Sequence, residues 1–104
     1  MARRRINLGI NGYGRIGRAV HRLAIGNPMI RVAAINSRSD SETMTHLLKY
    51  DSVYGRLESN VAISASGFVV DGDEIAVYRE ETPDSIPWAD HDIDVVIEST
   101  GKFK

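Results

Sequence analysis

Ile6-Asn7-Leu8-Gly9-Ile10-Asn11-Gly12-Tyr13-Gly14-Arg15-Ile16-Gly17-Arg18 decides the reading of this chain. An apolar run that breaks into three glycines and restarts with helical spacing predicts a strand, a tight turn and a helix. Gly12, Gly14 and Gly17 fit G-x-G-x-x-G. The first serves the turn, the second lets backbone approach a pyrophosphate, and the third lets helix and strand pack closely. A helix opening there directs unsatisfied N–H groups and the positive end of its dipole at the anion. The same glycines also suit a strand-turn-helix without a ligand, in which they serve packing alone.

The flanks favour the ligand-binding reading. Ile6, Leu8 and Ile10 alternate before the glycines, and Ile16, Val20, Leu23 and Ala24 fall on one helical face after them. Gly26-Asn27-Pro28 is a stop signal. Ile30 to Ile35 reads as a buried parallel strand and completes a strand-helix-strand unit of about thirty residues. The expected class is α/β, with a Rossmann-type parallel sheet forming the N-terminal part of a doubly wound fold.

Composition narrows the function classes. A length of 104 residues suits one small domain, less than a complete two-half dinucleotide fold. With 13 basic against 14 acidic residues and a net charge of −1, nothing global favours nucleic acid or a membrane surface. Arg3-Arg4-Arg5 reads as a solvated terminus. There is no signal-peptide core and no apolar stretch of bilayer length. No cysteine is present, so neither disulfides nor thiol chemistry is available, and a cytoplasmic setting is the default. His21, His46 and His91 have no second ligand at metal spacing and read as surface or edge histidines, so no metal site is expected.

Asn36-Ser37 follows the second strand, with Ser37 about 20 residues past the last glycine, where a dinucleotide fold reads the adenosine ribose. An acidic residue there accepts from the 2′-hydroxyl and repels a 2′-phosphate. Ser37 followed by Arg38 removes that repulsion and offers a charge-assisted hydrogen bond, which leans toward NADP; alternatively Arg38 simply points to water. Ser39 and Glu42 are spaced as a capping box for a second helix with Met44, Leu47 and Leu48 as its apolar stripe. Val61-Ala62-Ile63, Phe68-Val69-Val70 and Ile75-Ala76-Val77-Tyr78 then read as short strands, the last two joined through Asp71-Gly72-Asp73-Glu74 in a small antiparallel hairpin excursion. Glu80-Glu81 reads as a solvated acidic loop, and Ser85 to Ala89 as a helical turn anchored by Trp88. Asp94 to Gly101 reads as a further buried parallel strand whose end places Thr100 and Gly101 beside the glycine loop.

Taken together, Ile10-Asn11-Gly12-Tyr13-Gly14-Arg15-Ile16-Gly17-Arg18, Ala34-Ile35-Asn36, His46-Leu47-Leu48-Lys49-Tyr50-Asp51-Ser52, Gly55-Arg56 and Glu98-Ser99-Thr100-Gly101 resemble the N-terminal part of phosphorylating glyceraldehyde-3-phosphate dehydrogenases, from about Arg5 onward. The resemblance implies oxidation of glyceraldehyde 3-phosphate, with NAD(P) and inorganic phosphate, to 1,3-bisphosphoglycerate by a homotetramer. It assigns residues 1–104 to the N-terminal portion of an NAD(P)-binding domain, with the catalytic domain outside this chain. By the resemblance, Asn11, Gly12 and Gly14 belong to the cofactor loop, and Arg15 and Ile16 meet the pyrophosphate through their backbone. Asn36 and Ser37 flank the adenosine ribose, and Thr100 and Gly101 border the nicotinamide half.

Two departures from the family stand out. Glu81 occupies a position where the family commonly has an arginine that contacts the adenine through its carbonyl oxygen. Ser37 replaces the family's usual aspartate, as in NADP-using, biosynthetically directed members. The family's nucleophilic cysteine and its activating histidine lie beyond this chain, which by itself is expected not to turn over substrate. Erythrose-4-phosphate dehydrogenase shares most of these motifs, and a non-catalytic nucleotide-binding module is the reading from a different class.

Overall fold

The computed structural model describes residues 5–51, 55–56 and 60–100. Arg3, Arg4, Ser52 and Gly101 lie outside the described residues. In chain order the elements are β1 (Ile6–Asn11), α1 (Arg15–Ile25), β2 (Ile30–Asn36), α2 (Ser41–Lys49), β3 (Tyr50–Asp51), β4 (Gly55–Arg56), β5 (Val61–Ile63), β6 (Gly67–Val70), β7 (Asp73–Tyr78) and β8 (Val95–Glu98). Two 3₁₀ turns, Pro83–Ser85 and Trp88–His91, connect β7 to β8.

Six strands form one mixed sheet in the order β5-β6-β7-β2-β1-β8, and β3 pairs with β4 alone. β1 runs parallel to β2 on one side and to β8 on the other. The chain therefore moves one way from β1 and then jumps back across it to β8, which makes the end of β1 the switch point of the topology. The antiparallel hairpin is present, closed by Asp71 and Gly72 at φ 49° and 87°, the left-handed pair that a two-residue turn requires. Its second strand, β7, also pairs parallel with β2, so the hairpin extends the main sheet.

The core joins Leu8, Ile10, Val32 and Ile35 of the central strands to Met44 and Leu48 of α2, Phe68 and Val70 of β6, and Ile75 of β7. Gly9 faces the other way from Ile10 by strand alternation. A Cβ on Gly9 would lie 2.6 Å from the Trp88 ring, so Trp88 lies flush against β1 on that second face.

Four expectations change. The buried stripe of α1 is Gly17, His21 and Ala24, whereas Ile16 and Leu23 are 67% and 77% exposed. Gly17 sets that rotation because it must face β1, and Ile16 and Leu23 lie roughly 100–120° around the helix from it. His21 is correspondingly buried, not at the surface. The N-cap of α2 is Asp40, whose carboxylate accepts from the Thr43 amide at 2.7 Å, in place of a Ser39–Glu42 box. β8 is not buried: Val95 and Val96 are exposed because β8 has only β1 as a neighbour among the described residues. Arg5 is not merely solvated, since its guanidinium meets both carboxylate oxygens of Asp73 at 2.9 Å.

Candidate functional site

The glycine turn is shaped by close approach. Gly12 adopts φ +96°, and a Cβ there would sit 2.8 Å from the Thr100 amide nitrogen. A Cβ on Gly17 would lie 2.4 Å from the Gly12 carbonyl oxygen, which is how tightly α1 is drawn against the end of β1. Gly14 differs from both: nothing lies within 4 Å of its Cβ position. It caps α1 without a side-chain hydrogen bond, and the first turn holds no acidic residue. The first N–H groups of α1 have no helical carbonyl to bond, and with the positive end of the helix dipole behind them and open space at Gly14 they form a ready anion site.

Around this turn the strand ends are tied by one polar ladder. Register places Asn11 of β1 level with Asn36 of β2 and Glu98 of β8, and Asn36 level with Tyr78 of β7. Asn11 donates to Glu98 Oε1 at 2.7 Å and accepts from Asn36 Nδ2 at 2.9 Å. Asn36 also donates to the Glu80 carbonyl at 2.9 Å and accepts from the Glu80 amide at 2.7 Å. Both asparagines are buried, and these bonds satisfy amides that burial would otherwise penalise. Glu98 Oε2 accepts from the Thr100 amide at 3.1 Å and its hydroxyl at 2.6 Å. Burial opposes the Glu98 carboxylate, but the bonds from Thr100 and Asn11 outweigh it and hold its pKa below the ordinary value. Ser99 adds a clip, donating its hydroxyl to the Gly12 carbonyl at 2.6 Å.

Tyr13, inside the glycine motif, turns its side chain into the core. Its hydroxyl lies 2.6 Å from His21 Nδ1, with Phe68 against both rings. Burial pushes His21 down to about 3 and the Tyr13 phenol above its ordinary value, so both are neutral. The Tyr13 carbonyl accepts from Arg18 at 3.1 Å, fixing the loop from the other side.

These elements enclose a cleft of about 270 Å³ at the carboxyl ends of β1, β2, β7 and β8. Of the residues singled out in the sequence, Asn11, Gly12, Gly14, Asn36, Ser37, Arg38, Glu81 and Thr100 line it. Arg15 and Ile16 lie in the first turn of α1 with exposed side chains and do not line the cleft. Gly101 is outside the described residues. Glu80 and Ser99 also line the cleft and were not singled out; each is the chain neighbour of one that was, and the parallel registers carry the signal that brings them in. Among the described residues no three His, Asp or Glu side chains cluster as a metal site. The cleft suits an elongated ligand with an anionic middle seated on Gly14 and the α1 amides.

A family model described as glyceraldehyde 3-phosphate dehydrogenase, NAD binding domain, matches residues 6–104. The chain is 49% identical over 98 residues to glyceraldehyde-3-phosphate dehydrogenase of Geobacillus stearothermophilus, covering 94% of this chain and 29% of that protein. The enzyme of Thermotoga maritima is 48% identical over 97 residues, with 91% and 29% covered. This chain thus spans less than a third of the length of the relatives it matches. The open Gly14 cradle and free α1 amides fit the pyrophosphate of NAD(P), the cofactor of this domain. By motif, fold and relatives alike, the chain belongs to the NAD-binding domain family of glyceraldehyde 3-phosphate dehydrogenase.

Proposed function

We propose that these residues are the N-terminal, cofactor-binding portion of an enzyme that oxidises glyceraldehyde 3-phosphate, with phosphate, to 1,3-bisphosphoglycerate. The observation that carries this reading is the cleft in which the open N-terminus of α1 meets the ends of four strands. Bound NAD(P) supplies the hydride acceptor. The chain's own residues bind and orient: the first amides of α1 hold the pyrophosphate, Asn36 and Ser37 take the adenosine ribose, the Glu81 backbone borders the adenine, and Thr100 with Gly101 borders the nicotinamide half. Acyl transfer from an aldehyde needs an activated nucleophile. These 104 residues contain no cysteine, and we assign that step to a catalytic domain outside them. A cytoplasmic setting fits a chain without disulfides, and no helix among the described residues is long and apolar enough to cross a membrane.

At the adenosine end we favour NADP. Position 37 carries no carboxylate to repel a 2′-phosphate. The Ser37 hydroxyl accepts from the Ser39 amide at 3.1 Å, which leaves its O–H free to donate, and Arg38 lines the same cleft. Parallel calorimetric titrations with NADP and NAD test this. NADP is expected to bind about tenfold tighter, and Ser37→Asp to reverse the order. Tighter NAD binding would remove the NADP preference alone; binding of neither by these residues alone would mean that they are not a competent site without the rest of the protein.

A further inference from the structure

Beside the main cleft lies a second cavity of about 320 Å³, lined by Ser37, Arg38, Arg79, Glu80 and Glu81. It shares four of those residues with the cleft, and Arg79 is the addition. Register explains why Arg79 is there. β2 and β7 end level, Asn36 beside Tyr78, so the next residue on each strand, Ser37 and Arg79, leaves the sheet side by side. The Ser37 amide donates to the Tyr78 carbonyl at 2.9 Å, and Asn36 grips both backbone groups of Glu80, so the backbone is pinned on either side of Arg79.

We propose that Arg79 and Arg38 form, with the Ser37 hydroxyl, an anion subsite that takes the phosphate monoester of a 2′-phosphorylated adenosine ribose. This rests on the dinucleotide reading of the main cleft and names a residue outside that cleft as a determinant of which dinucleotide it takes. Among the described residues neither arginine is engaged in an ion pair, while Arg5 is held by Asp73. The positive charge of Arg79 is felt across the gap at Asp40, whose pKa is lowered first by its bond to the Thr43 amide and to a smaller extent by Arg79. Charge balance makes both arginines necessary. With Glu80 and Glu81 on the same rim, the four side chains sum to zero, and removing one guanidinium leaves a net negative rim facing a group of charge roughly −1.5 to −2. Neutralising a glutamate does the opposite.

The test is calorimetric titration of the whole protein that carries these residues with NADP and with NAD, for wild type, Arg79→Ala, Arg79→Lys and Glu81→Gln. Arg79→Ala is expected to weaken NADP about tenfold and to leave NAD within about twofold. Arg79→Lys keeps the charge without the planar fork and falls between, and Glu81→Gln raises the preference for NADP. The selective loss should shrink as salt is raised. Retained NAD binding shows at once that each variant is folded. If Arg79→Ala leaves NADP unchanged, or weakens both dinucleotides equally, the subsite is overturned while the cleft stands. If wild type binds neither, the dinucleotide reading fails and the subsite with it.

Discussion

The two ends of the cleft are built from different materials. At the α1 end the working surface is backbone: Gly12 and Gly14, the first amides of the helix, and carbonyls held by Ser99 and Arg18. At the β2–β7 end it is side chains, Ser37 and Arg38 with Glu80 and Glu81 opposite, all but Ser37 exposed. Backbone presents the same amides whatever the cofactor variant, so the first end can hold a pyrophosphate but cannot choose between NAD and NADP. Side-chain charge can choose, and exchanging it leaves the sheet untouched. In the proposed reading specificity and affinity are separable, and the Asn11–Asn36 side-chain pair and the Gly12 amide bond to the Asn36 carbonyl link the two ends.

The sharpest way to break that separation is to add a methyl group to two glycines of the same motif. In Gly17→Ala the new Cβ would sit 2.4 Å from a backbone oxygen that cannot swing away, so α1 must move off β1. A loss of about 3 kcal/mol or more is expected, read as a fall in melting temperature with dinucleotide binding lost as well. Gly14→Ala meets no protein atom within 4 Å at a φ of −84° that alanine adopts. Its stability should stay within about 0.5 kcal/mol of wild type, while NAD and NADP weaken together because the methyl group occupies the approach of the pyrophosphate. Equal melting of Gly17→Ala and wild type, or undiminished binding by Gly14→Ala, would refute the division of labour.

A second test asks whether the backbone end depends on what lies beneath it. Tyr13→Phe leaves the buried His21 Nδ1 without its partner and should cost about 1–3 kcal/mol, whereas Tyr13→Phe with His21→Phe removes both polar groups and should recover part of that loss. The pair also gives a pH signature. The folded-state pKa of His21 is depressed from 6.5 to about 3. Between these values the unfolded chain binds the extra proton and the folded chain does not. The contribution is therefore complete above pH 6.5 and is lost as pH falls toward 3, with a slope approaching about 1.4 kcal/mol per unit. Urea denaturation at pH 7 and pH 5 measures it. The double variant should show a shallower acid dependence than wild type; an identical one would mean that His21 is not the group responsible.

What could be read from the sequence follows the same division. Gly12, Gly14 and Gly17 are legible because their chemistry is local: a turn, a close contact and a helix start within six residues. The parallel strands and the Asp71-Gly72 turn are legible for the same reason, since periodicity and turn residues report on their own neighbourhood. Arg79 and the Asn36–Glu80 grip are not, because they arise from β2 and β7 ending level, with 44 positions separating Asn36 from Glu80. The burial of His21 is not legible because helical spacing counts apolar residues, while the rotation of α1 is set by a glycine, which adds nothing to that count. Once Gly17 faces the strand, His21 is carried inward, and the Tyr13 hydroxyl makes that position tolerable.

Ser99 offers the mildest probe, because its hydroxyl touches the turn from just past the end of β8. Its hydroxyl donates to the Gly12 carbonyl at 2.6 Å and lies 3.2 Å from that of Asn11, while its amide donates to the Asn11 carbonyl at 2.9 Å. Ser99→Ala removes only the hydroxyl and keeps the backbone bond that seats the end of β8. The site is half-buried, so water can reach the freed carbonyl, and the expected loss of stability is about 1 kcal/mol. If the turn is held chiefly by the contacts that exclude a Cβ at Gly12 and Gly17, NAD and NADP should weaken by the same small factor and their ratio should not move. A changed ratio would mean that the α1 end reaches into cofactor choice after all, and that the two ends of the cleft are mechanically coupled through the strand ends between them.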